Sequence, residues 1–173
     1  MKLNKAIAAF AVVITIFFRT AVAQTQSDQL NAVITQYLEL KDALVKDQGD
    51  SARIAAKGLY TAIEKLPMEK LSAEQHKAWM QYYQKLSYHA EHIKETDDLA
   101  HQREHFVSLS SNMYKLLTAA NMNTVTLYYE FCPMANGNKG AYWLSAESEI
   151  MNPYFGKKML NCGSVKDSIK VAQ

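Results

Sequence analysis

Residues 72–120 read SAEQHKAWMQYYQKLSYHAEHIKETDDLAHQREHFVSLSSNMYKLLTAA, two amphipathic periods separated by a polar break. In the first, Trp79, Tyr83, Leu86, Ala90 and Ile93 recur at intervals of three and four, the spacing that lines one face of a helix. Ser72 with Gln75 three residues later is a capping-box signature for its start. Thr96 and Asp97 interrupt the period; Leu99, Phe106, Leu109, Met113 and Leu117 resume it to about Ala120. A connection this short turns the second segment back along the first.

Working outward, the same periodicity predicts a helix from about Ser27 to Lys46, with Leu30, Val33, Ile34, Tyr37, Leu38 and Leu44 on its stripe. Another runs from about Ser51 to Leu66, where Pro67 closes it. Short loops and one apolar face per segment predict an antiparallel four-helix bundle over about 27–120. Arg103 falls on the apolar stripe of the last helix. It must be paired there, or snorkel to solvent at the end of the bundle.

The period changes to two after Asn123. Val125, Leu127, Tyr129 and Phe131 alternate with polar residues over Thr124–Phe131, and Ala141–Ser145 reads as a second short strand. Asn136-Gly137 and Gly140 supply turn residues between them. The expectation is a mainly α protein with a small C-terminal β-hairpin cap, about 124–165, ending in a frayed polar tail of about eight residues.

Toward the N-terminus, Lys2 and Lys5 precede an apolar run from Ala6 to Phe18, and Ala21-Val22-Ala23 supplies small residues for cleavage. This pattern predicts a secretory signal peptide over residues 1–23 and a single mature domain over 24–173, placed in the periplasm. The apolar run falls short of the about 20 residues that span a bilayer, so no stable membrane anchor is expected. Lys2, Lys5 and Arg19 leave with the leader, so 16 Lys and Arg face 17 Asp and Glu in the mature chain. That balance offers no basic stripe for nucleic acid.

Both cysteines lie in the last third, each near a methionine: Cys132-Pro133-Met134 and Met159-Leu160-Asn161-Cys162. Thiolates and thioethers are soft donors that select Cu(I), and chemically Ag(I), over hard cations. Two cysteines in an exported chain also fit a disulfide. A Cys132–Cys162 bridge closing about 30 residues would contribute about 3 kcal/mol. Both states stay open at this point, and reduction would convert one into the other. The histidines supply a second donor set. His101 and His105 are four apart, His89 and His92 three apart, and a hairpin at Thr96–Asp98 would bring His92 toward His105. His76 reads as structural or exposed. The sequence contains no Gly-rich phosphate loop, no His-Glu-x-x-His and no Gly-x-Ser-x-Gly, so no enzyme is expected.

Four ordered blocks then carry a resemblance. They are Tyr128-Tyr129-Glu130-Phe131-Cys132-Pro133-Met134-Ala135, Lys139-Gly140-Ala141-Tyr142-Trp143-Leu144-Ser145, Asn152-Pro153-Tyr154-Phe155-Gly156 and Met159-Leu160-Asn161-Cys162-Gly163. With His89-Ala90-Glu91-His92-Ile93 and Gln102-Arg103-Glu104-His105-Phe106, they resemble the DUF3347 family of exported bacterial proteins, common in Bacteroidetes. That domain also occurs appended to periplasmic adaptor subunits of copper/silver efflux pumps. Cys-Pro-Met is similar, in part, to the Tyr-x-Cys-Pro-Met-His-Pro motif of short heavy-metal-binding domains, although Ala135 and Asn136 replace its His-Pro. The resemblance implies soft-metal handling in the envelope, with Cu(I) as the ion. Cys132, Met134, Met159 and Cys162 would be the ligands, His92 and His105 additional donors, and a periplasmic efflux adaptor a partner. The alternative is a metal-free interaction module with a structural Cys132–Cys162 disulfide, presenting Tyr142, Trp143, Tyr154 and Phe155 as an apolar patch.

Overall fold

The computed structural model describes residues 29–171; the signal peptide expected over residues 1–23 lies outside them. The protein is mainly helical, with a small antiparallel sheet at its C-terminal end. Helix α1 is described over residues 29–45, followed by α2 (Gly49–Glu64), a 3-10 turn (Met68–Lys70), α3 (Ala73–Lys94) and α4 (Leu99–Ala120). Their apolar stripes meet in one core, where Ile34, Leu40, Leu44, Leu59, Ile63, Trp79, Leu86, Ile93, Phe106 and Leu109 are buried almost completely. Each such side chain stabilises the fold by about 1.5–3 kcal/mol.

Local signals set the hairpin between α3 and α4. The Ser72 hydroxyl accepts from Gln75 N at 3.3 Å and the Gln75 side chain accepts from Ser72 N at 3.1 Å, so the capping box forms. Asp98 caps α4 by accepting from Ala100 N at 2.8 Å. Buried Gln102 donates to the carbonyls of Thr96, at 2.7 Å, and Gly49, at 3.0 Å, which seats the turn on the start of α2. A Cβ at Gly49 would stand 2.0 Å from the Asp97 carbonyl oxygen, so this seating requires glycine.

The sheet departs from the expected hairpin. Strands β1 (Leu127–Cys132) and β2 (Ala141–Ser145) pair as predicted, but β3 (Ser164–Ile169) adds on the other side of β1, giving the order β2-β1-β3. Much of the tail expected to fray is therefore paired. Its side chains are mostly exposed, so the strand is held by backbone pairing and by polar anchors. Buried Asn123 donates to the carbonyls of Val125, Ile169 and Lys170, and the Tyr114 hydroxyl donates to Asp167 at 2.5 Å. Strand β1 also starts later than predicted, at Leu127 in place of Thr124.

Two contacts fasten the cap to the helices. Buried Tyr37 on α1 touches the Ser110 hydroxyl of α4 at 2.7 Å and accepts from Leu144 N of β2 at 3.0 Å. Arg103 is paired and does not snorkel. Its guanidinium meets Asp47 at 2.5 Å, the Leu44 carbonyl at 2.9 Å and the Pro153 carbonyl at 2.8 Å. It thereby ties α4 to the end of α1 and to the Asn152–Phe155 segment, and it holds the Asp47 carboxyl below the usual carboxylate range. Gly156, with φ of 54°, lets this cluster close, because a Cβ there would stand 2.0 Å from Asp47 Oδ1.

Candidate metal centre

The end of α3 and the start of α4 lie side by side, and their histidines gather on one flank. The His92 and His105 rings stack with centroids 4.6 Å apart and planes 14° apart. His101 and His105, one turn apart on α4, have centroids at 4.7 Å, and His92 and His101 at 6.3 Å. One ring nitrogen from each of His92, His101 and His105 falls within 4.8 Å of the others. His89 joins from α3, its Nδ1 3.1 Å from Nδ1 of His105. Tyr88 presents its ring to the same group, with centroids 4.4 Å from His92 and 5.1 Å from His89 in edge-on geometry.

All four rings are half-buried, and burial shifts two of them, His89 and His105. Burial, then the neighbouring His105 and His92, push His89 down to about 4. His105 is lowered by burial and then by His92 and His101. These two rings are therefore neutral at pH 7, the form in which imidazole has a lone pair to give. A tetrahedral ion with bonds of about 2.1 Å holds its nitrogen ligands about 3.4 Å apart. To hold such an ion the trio would have to close by up to about 1.4 Å. Such a site has three protein ligands and one open position, and imidazole donors suit copper, zinc and nickel. Among the described residues, no other three His, Cys, Asp or Glu donors gather this closely.

The sulfur quartet is brought together only in part. Cys132, fully buried at the end of β1, and half-buried Cys162 are free thiols whose sulfurs lie 2.7 Å apart. Two thiolates on one tetrahedral ion, with bonds of about 2.3 Å, stand about 3.8 Å apart. The pair as placed suits a bridge better than a shared ion. The Cys162 thiol is pushed up to about 11, first by its hydrogen bond with Cys132 and then by burial, which disfavours the thiolate. Met159 contributes its carbonyl, accepting from Cys162 N at 3.1 Å. Met134 is exposed and borders a cleft of about 590 Å³ lined also by Arg103, Glu104, Val107, Tyr154 and Phe155. His76 is exposed on the first turn of α3. The contact between His89 and His105 was not anticipated. The three-residue spacing of His89 and His92, folded over the Thr96–Asp98 turn, was the signal for it.

Fold and site define a mainly helical domain that carries an imidazole cluster across one helix pair and a thiol pair in its sheet cap. The family model described as Protein of unknown function (DUF3347) matches residues 33–124, and the chain belongs to that family. The matched span holds Arg103 and all four clustered histidines and ends before Cys132. No curated protein and no solved structure matches the chain. Among the described residues no helix is long and apolar enough to cross a membrane.

Proposed function

We propose that this is an exported metal-binding protein that holds one transition-metal ion through His92, His101 and His105 and sequesters or passes it on in the cell envelope. The observation that carries this reading is the convergence of three donor nitrogens within 4.8 Å on two helices whose connecting turn Gln102 holds against the start of α2. Copper is the first candidate, because nitrogen sites bind Cu(II) more tightly than the neighbouring divalent ions. The open coordination position allows a partner's ligand to enter, and a periplasmic efflux adaptor is one such partner. Above the hairpin scale, we read α1–α4 as an antiparallel four-helix bundle. The Cu(I) site built from Cys132, Met134, Met159 and Cys162 gains less support, since its sulfurs are too close in one pair.

The test is an anaerobic titration of the mature protein with Cu(II) against a competing chelator. One equivalent taken up by wild type, with His105→Ala weaker by about 100-fold, supports the imidazole site. Unchanged uptake by His105→Ala but loss by Cys132→Ser would return the site to the sulfurs. A second reading, a metal-free module with a Cys132–Cys162 disulfide, is favoured by the 2.7 Å sulfur separation, but the apolar patch expected of it does not form, because Trp143 and Tyr154 are buried in the core. Mass spectrometry without reductant decides it: a fully bridged protein that takes up no copper supports the module, and free thiols remove the disulfide.

A further inference from the structure

The contact between His89 and His105 bears on which atom of His105 is free to bind. Each Nδ1 lies 3.1 Å from the other, so one ring donates an N–H and the other accepts it. Whichever ring donates, Nδ1 of His105 is engaged, and Nε2 is the atom left for a metal. The two arrangements differ there. If His89 donates, His105 carries its proton on Nε2 and has no lone pair to offer. If His105 donates, Nε2 is bare and is a ligand. Metal-bound histidines are oriented in this way by an acceptor on their other nitrogen, and loss of that acceptor typically costs 10- to 100-fold in affinity.

We propose that His89 is a positioning residue that accepts the Nδ1 proton of His105 and so holds His105 in the tautomer whose Nε2 is free to bind. This rests on the imidazole site proposed above and adds a fourth histidine to it in a role other than ligand. Two features of the site support the assignment. His89 lies outside the trio whose donor atoms come within 4.8 Å, yet it contacts the trio through His105 alone among the hydrogen bonds. Tyr88, edge-on to His89 with planes at 78° and to His92 at 61°, packs against both α3 rings and leaves His105 as the hydrogen-bonding neighbour of His89. Helix α3 thus supplies one ligand, His92, and one orienting group, His89, a turn apart on the same flank.

The experiment follows zinc, a diamagnetic probe of the same site, in wild type, His89→Phe and His89→Asn. Asparagine returns an acceptor oxygen near the place of Nδ1, and phenylalanine keeps the ring without one. The expected result is that His89→Phe binds Zn(II) at least tenfold more weakly and that His89→Asn recovers most of the loss. Long-range ¹⁵N–¹H spectra of the imidazoles should report His105 as the Nδ1–H tautomer in metal-free wild type, and as ligated through Nε2 with zinc. Equal losses in both variants, or ligation of His105 through Nδ1, would overturn the proposal. Should wild type take up neither zinc nor copper, the metal reading fails by itself. The metal-free spectrum still decides the tautomer: Nδ1–H in wild type and a mixture in His89→Phe sustains the role of His89, and an unchanged tautomer refutes it.

Discussion

Along the α3–α4 hairpin, the polar groups that matter stand half-exposed on helix flanks; in the cap they are sealed inside. His89, His92, His101 and His105 keep some access to solvent, whereas Glu130, Asn152 and Cys132 have none. The flank positions follow from spacing along one helix and leave each ring free to turn. The cap positions follow from hydrogen bonds over long separations. Asn152 donates to the Cys162 carbonyl at 2.7 Å and accepts from the backbone of Tyr154 and Phe155, folding that segment around itself. The hairpin therefore keeps its polar groups within reach of solvent, and the cap holds Asn152 in fixed bonds. Titration separates them as well. Burial lowers His89 to about 4 in the hairpin and raises Glu130 to about 7 in the cap, each toward its uncharged form.

The comparison breaks most sharply at Phe106, whose ring packs on Tyr37 at 5.5 Å and on Tyr154 at 5.8 Å and so belongs to both regions. Phe106→Ala is expected to cost about 4 kcal/mol. In urea, hairpin and cap should unfold in one transition; two separate transitions would mean that they do not share a core.

Arg103→Ala should cost about 2 kcal/mol, below the range for fully buried pairs because the guanidinium keeps some exposure. Hydrogen exchange checks where the loss falls. Faster exchange confined to residues 44–47 and the cap fits a tie between regions. Equal acceleration through Trp79–Ile93 would count against it.

A third effect, of similar size but dependent on pH, isolates the cap. Neither carboxylate oxygen of Glu130 nor the indole N–H of Trp143 has a hydrogen-bond partner, although Trp143 is near enough to lower the Glu130 pKa. Burial raises the folded pKa from 4.5 to about 7, so this group's contribution to stability is present below pH 4.5 and is lost as pH rises through 7. Glu130→Gln should match wild type near pH 4 and be more stable by about 2 kcal/mol above pH 7. A gain independent of pH, measured by thermal unfolding across that range, would show that the charge is not the cause.

These contrasts also explain what the sequence revealed. The helices, the capping box at Ser72 and strand β2 were legible because each is written in neighbouring residues. Strand β3 was not, because Ser164–Ile169 lacks an apolar face and becomes a strand only through β1, Asn123 and Tyr114. Arg103 was legible as a residue that needed a partner, but Asp47, 56 residues away, was not legible as that partner. The histidines could be listed from spacing, and their convergence needed only the turn at Thr96–Asp98. The sulfurs depended on how the cap closes, which no local spacing states.

The Tyr37 hydroxyl has a consequence for the order in which the chain folds. Its bond to Leu144 N spans 107 residues, so α1 waits for most of the polypeptide before this contact is made. Contacts of such long separation close late and slow the approach to the native state. The α3–α4 hairpin can assemble early from its own short loop, and docking of the cap onto Tyr37 is then the slow last step. A chain halted before β2 would have its hairpin, with Ser110 as the one partner left to the Tyr37 hydroxyl, and an uncovered face on α1, the kind of surface that chaperones hold or aggregates recruit.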